Sequence, residues 1–115
     1  MNLLKKQQGI ITVLLTMACV TGYWLSIKQK VADKYFIQLK YPDAKEMYEE
    51  IATSKKKSYH TIKRTAECYR FMDDNLKSAE WYRNVVNNEE VIAKDYYDYA
   101  QVLKKIGHYT VADEN

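Results

Sequence analysis

Three glycines and one proline punctuate 115 residues. That is too little turn chemistry for the many reversals of an all-β fold, and helices joined by short connections are expected instead. Two cysteines, Cys19 and Cys68, cannot build a disulfide scaffold. The two histidines, His60 and His108, have no partner at metal-ligand spacing, which argues against a structural zinc site. There is no glycine-rich phosphate loop and no serine in a nucleophile-elbow setting. The adjacent carboxylates Asp73 and Asp74 fall in a turn, where acids ordinarily stand, so no catalytic pair is read there. An excess of one charge sign is missing too. The formal charge is +3, and setting Lys5 and Lys6 aside leaves 16 bases against 15 acids, interleaved along the chain. Such a balance gives no footprint for a nucleic acid. The one basic cluster, Lys55 to Lys57 with Lys63 and Arg64, reads as a solvated turn. The chain reads as non-enzymatic, with no catalytic residue, metal or cofactor.

What the sequence has is a period. Ala32, Ala66 and Ala100 stand 34 residues apart, and twelve residues after each comes another small side chain, Ala44, Ser78 and Ala112. Large residues keep the same register: Tyr35, Tyr69 and Leu103, then Tyr48 and Tyr82, then Ile51 and Val85. Two antiparallel helices approach closely only where a small side chain sits at the crossing and bulky neighbours fill the space around it. Ala32 with Ala44, Ala66 with Ser78, and Ala100 with Ala112 are therefore expected crossings.

These columns resemble the tetratricopeptide repeat family over roughly residues 25–115. The resemblance implies an all-α fold: a helix-turn-helix solenoid of about two and a half repeats, with units 25–58, 59–92 and an incomplete 93–115. The first large position of each unit departs from the family, reading Lys28, Ile62 and Tyr96, and the family glycine appears only as Gly107. A first helix is expected from Ser26 to Leu39, with Pro42 opening its partner, since proline is tolerated in a first turn and blocks helix continuation. Asn75 is the expected N-cap of the fourth helix, and Glu89 and Glu90 the opening of the last, which Gly107 is expected to stop. An exposed apolar edge is expected around Ile92, Tyr99, Leu103 and Ile106, open to self-association. Most of the eleven tyrosines fall on the period and are expected half-buried with the hydroxyl near water.

Residues 1–24 read as a separate segment, a signal peptide or membrane anchor. Lys5 and Lys6 precede an uncharged run from Gln7 to Ile27. Export with cleavage after Gly22 is the main reading, leaving a periplasmic or outer-membrane-associated chain. Two alternatives stay open. Twenty-one uncharged residues are enough to cross a hydrocarbon core as an inner-membrane anchor, and Thr16 to Cys19 resembles a lipoprotein signal with Cys19 as the acylated residue.

The tetratricopeptide resemblance also implies a groove lined by the first helix of each unit. Its candidate residues are Phe36, His60, Lys63, Arg70, Phe71, Lys94, Tyr97, Lys104 and Lys105, a basic surface with aromatic anchors suited to an acidic or aromatic peptide. The stretches VADKYF from Val31, YPDAKEMYEEIA from Tyr41, SAEWYRNVV from Ser78 and YYDYAQVLKKIGHY from Tyr96 look like the N-terminal region of an OmpA-family Bacteroidota envelope group. Some of its members serve type IX secretion and gliding. The likeness implies a docking module for an envelope protein. Its alternative is an anchored or lipidated assembly factor for outer-membrane clients.

Overall fold

The structure, a computed structural model, describes the backbone of residues 2–54 and 58–114, with side chains for all of these except 2–4, 15, 18, 21 and 109–114. The described residues form five α-helices and no strand: α1 Asn2–Ile37, α2 Tyr41–Ala52, α3 Tyr59–Phe71, α4 Asn75–Val86 and α5 Ala93–Glu114. Each helix packs on its neighbours in the chain. With a radius of gyration of 19.8 Å, against about 13 Å for a globular chain of this size, the molecule is elongated.

The 34-residue period is written into the backbone. α1 ends with Leu39 N–H donating to Phe36 C=O and Lys40 N–H to Tyr35 C=O, at 3.1 and 2.9 Å. Asp73 to Arg70 and Asp74 to Tyr69 repeat both bonds at 3.1 and 2.9 Å. Leu39 and Asp73 hold φ of 61° and 63°. Each is the left-handed residue of a Schellman turn, whose two bonds satisfy carbonyls the helix leaves unpaired. The connection closing each hairpin matches as well: Thr53 and Ser54 donate to Glu49 and Ile51, and Asn87 and Asn88 to Arg83 and Val85. Residues 55–57, the lysine run, lie outside the described residues.

Burial follows the columns where a neighbour exists. Ala32 and Ala66, Ala44 and Ser78, Tyr48 and Tyr82, and Ile51 and Val85 are all buried. At the second crossing Ser78 Oγ donates to Ala66 C=O at 2.9 Å. Cys68 and Val102, also 34 apart, are buried because each faces the preceding hairpin, whereas Lys34 in the same column has none before it and is exposed. Ala100, at the other end, is exposed instead of buried, because no other described helix lies over it as α4 lies over Ala66. Its expected partner Ala112 lies outside the described side chains.

Several boundaries differ from expectation. α1 does not begin at Ser26; it runs unbroken from Asn2. The N-cap of α4 is Asp74, whose side chain accepts from Lys77 N–H at 3.3 Å, and Asn75 is inside the helix. α5 starts at Ala93 instead of at the glutamates, with Asp95 Oδ2 accepting from Ile92 N–H at 3.1 Å. Gly107 does not stop α5, which continues to Glu114. A glycine only weakens a helix by about 1 kcal/mol, and Gly107 does not take the positive φ that Leu39 and Asp73 hold. Tyr99 and Ile106 are not at the open edge: both pack against the Ile62, Ala66, Tyr82 and Val85 cluster, and the exposed face of α5 runs through Tyr96, Ala100 and Leu103.

Candidate peptide groove

Two adjoining clefts lie along α1, α3 and α5. One, of about 200 Å³, is lined by Asp33, Phe36, Ile37, Tyr48, His60 and Arg64. The other, of about 320 Å³, is lined by Tyr59, His60, Lys63, Arg64, Glu67 and Lys94. His60 and Arg64 belong to both, so α3 forms the floor of one continuous groove. The hairpin geometry causes this: every second helix comes to the same side, and residues spaced three and four apart on each face the groove.

The groove is not the basic surface its cations suggest, because nearly every inner cation meets a carboxylate. His60 Nε2 is 3.0 Å from Asp33 Oδ1, and Arg64 Nη1 is 3.0 Å from Glu67 Oε2. Lys63 Nζ is 2.9 Å from Asp95 Oδ1, Lys94 Nζ is 2.8 Å from Asp98 Oδ2, and Arg70 reaches the same oxygen at 3.9 Å. Only at the α5 end do cations stay open: Lys104 and Lys105 are exposed and have no acidic partner among the described residues.

Aromatic anchors are partly committed as well. Phe71 stacks on Tyr41 with centroids 4.8 Å apart, and Phe36 meets Tyr41 edge-on at 5.5 Å. Arg64 lies 4.3 Å over Phe36 and Arg70 4.6 Å over Phe71, so both guanidiniums cap rings while facing acids. Tyr97 carries no such contact and is 64% exposed. The structure therefore joins Phe36, His60, Lys63 and Lys94 around the two clefts, sets Arg70 and Phe71 beside them, and places Tyr97, Lys104 and Lys105 out on α5.

Sequence reasoning missed the acid that ties the last hairpin to the groove. Asp95 is completely buried and accepts from the Tyr59 hydroxyl and from Ile92 N–H, with Lys63 alongside. Burial works against its charge, but these three contacts prevail and hold the carboxyl below the usual aspartate range. Its column gives no warning, since the residues 34 and 68 positions earlier are Thr61 and Ile27. Tyrosine hydroxyls also differ from expectation. Tyr48 donates to Asp33, Tyr59 to Asp95 and Tyr69 to Glu49, each bridging two helices. Burial and then the bond to Asp33 push the Tyr48 hydroxyl up, so it stays a donor.

Burial, then the charge of Glu67, pushes the Cys68 thiol up to about 12, which leaves it unreactive at neutral pH. Among the described residues no three metal-ligating side chains converge. Cys19 is exposed on α1. Among the described residues no helix is long and apolar enough to cross a membrane; Leu15, Ala18 and Thr21, inside the uncharged run, are among the side chains not described. Comparison of the chain with family models, curated proteins and solved structures returns no match.

Proposed function

We propose that the chain is a non-enzymatic docking module of the bacterial envelope, a tetratricopeptide solenoid of about two and a half units that holds a peptide segment of a partner protein. The observation that carries this reading is the pair of hairpins with the same turn hydrogen bonds 34 residues apart, which lines up α1, α3 and α5 along one groove. Because inner cations are paired, the peptide is gripped at the α5 end, where Tyr97, Lys104 and Lys105 are open to an acidic, aromatic segment. The test is fluorescence anisotropy with a panel of acidic-aromatic peptides. Lys104→Glu with Lys105→Glu is expected to weaken the tightest binder by roughly tenfold and to flatten its salt dependence. Binding indifferent to that reversal would overturn the peptide reading.

A second reading, an anchored or lipidated assembly factor, is favoured by α1 alone. Ile10, Ile11, Val13, Leu14, Met17 and Val20 are all exposed on it, and the helix carries on through the Gly22 cleavage frame into the first hairpin. Lys28 Nζ sits 4.0 Å over the Trp24 ring, an aromatic and cationic pairing suited to a membrane interface. The mass of the mature N-terminus separates the two: a start near Tyr23 supports the exported scaffold, and an intact Met1 or acylated Cys19 supports the anchored factor.

A further inference from the structure

Leu39, Asp73 and Gly107 share one column of the period, and the first two reverse the chain with φ of 61° and 63°. Gly107 stays helical, so α5 runs straight. Its straight course keeps one face whole through Tyr96, Ala100, Leu103 and Gly107, spaced four, three and four apart so that they align. In α3 the matching Ile62 and Ala66 are buried against Tyr82 and Val85 of antiparallel α4, and the matching Tyr69 is buried with its hydroxyl on Glu49 of α2. On α5 no other described helix lies across them, and only the Tyr96 hydroxyl reaches back, to Val86 C=O at 3.5 Å. Tyr96 is 54% and Leu103 46% exposed, Ala100 is open, and a Cβ on Gly107 would meet nothing within 4 Å.

Side-chain size along this face alternates large, small, large, small. Reversed about an axis between residues 101 and 102, the series maps onto its own complement. Tyr96 comes level with the second copy's Gly107, and Ala100 with the second copy's Leu103. Each bulky group meets a gap, no charge lies within the face, and the antiparallel pairing is the one α3 already makes with α4. On the flank, Tyr97 and the second copy's Lys104 come close enough for a cation–π contact. From the self-complementary face of α5 we infer that two copies of this chain pair across a twofold axis, antiparallel, through Tyr96, Ala100, Leu103 and Gly107. A foreign helix has no reason to carry the reversed size order; a second copy carries it by symmetry. The face spans only about 16 Å of helix, which puts the dimer in the weak, concentration-dependent class. On its flank the pairing shares Tyr97 and Lys104 with the peptide grip, but its four central positions lie outside that site, so it holds whether or not a peptide binds.

The test is sedimentation equilibrium of the full chain, with α1 held in neutral detergent micelles. Ala100→Leu sets leucine against leucine, and Leu103→Ala sets alanine against alanine; each is expected to weaken the dimer by roughly tenfold. The combined Ala100→Leu with Leu103→Ala restores the size order and is expected to return the dimer to within about threefold of the parent. Both positions are exposed in the single chain, so the melting curve should move little, which separates lost pairing from lost folding. A monomer up to about 1 mM, open-ended polymers, or a combined variant no tighter than the weaker single one would each overturn the proposal. So would a dimer that ignores these changes and is lost on Val13→Glu in α1.

Discussion

Tyr82 is fully buried, stacked at 6.2 Å on Tyr99, and its hydroxyl lies near Arg70 without a well-formed hydrogen bond among the described residues. A buried hydroxyl without a partner costs about 1–3 kcal/mol. Tyr82→Phe keeps the ring and removes that cost, and is expected to raise stability by about 1 kcal/mol, read as a higher urea midpoint with an unchanged slope. Asp95 differs: its Oδ2 accepts from Tyr59 and Ile92 N–H, and its Oδ1 has the Lys63 ammonium 2.9 Å away. Asp95→Asn is expected to cost about 3 kcal/mol, because Lys63 would keep its charge with nothing to face. The pH dependence follows from the lowered carboxyl. The unfolded chain binds this proton near pH 3.9, so the stability it supplies is complete above that pH and is lost as pH falls through the lower folded value. Urea melts from pH 6 down to pH 2 should show the parent losing part of its advantage below about pH 4 and Asp95→Asn losing less.

At the scale of the element, one column asks for opposite substitutions. Leu39 is exposed and holds a left-handed backbone that disfavours a side chain by roughly 1–2 kcal/mol. Leu39→Gly is expected to stabilise the chain by about 0.5–1 kcal/mol, after the extra freedom glycine brings to the unfolded state. Gly107 is helical with open space around its Cα. Gly107→Ala is expected to stabilise by about 1 kcal/mol and to raise helicity in circular dichroism of dilute samples. If α5 turned at Gly107 as α1 turns at Leu39, the alanine would destabilise instead, so the sign of the change reports the path of the chain. The N-cap of α4 shows how close sequence reasoning came. Asp74 and Asn75 are both good caps, and the Schellman turn at Asp73 decides for Asp74 by fixing where the helix restarts.

At the scale of the molecule, packing runs between neighbours in the chain, so local stability should fall from the middle outward. α3 has a helix on each side; α5 extends past Ile106, the last of its described side chains packed on the core. Native-state hydrogen exchange is expected to protect amides of Ala66 to Tyr69 roughly 100-fold more than those of residues 110–114. Uniform protection along α5 would mean that its C-terminal half is covered. The elongated form also follows from α1, a helix of 36 residues on which Ile10, Ile11, Val13, Leu14, Met17 and Val20 are exposed.

The sequence by itself determined the helices and their pairing. Small residues 12 apart mark crossings, bulky ones at three and sixteen residues after the first fill them, and a single proline opens α2. These are local rules, so they can be read from spacing. Only the tertiary structure decided what happens where the period meets an edge. Ala100 matches Ala32 and Ala66 in identity yet lies exposed, and Gly107 is better suited to a left-handed turn than Leu39 or Asp73 yet stays helical, because burial and reversal both depend on a neighbouring helix that no residue type can announce. The groove's charge was settled in the same way. Arg64 with Glu67 and Lys94 with Asp98 are pairs within one helix and legible from spacing, but Asp33 meets His60, Asp95 meets Lys63 and Asp98 meets Arg70 from other helices, and a carboxylate 27 or more residues away becomes a partner only once the hairpins stack.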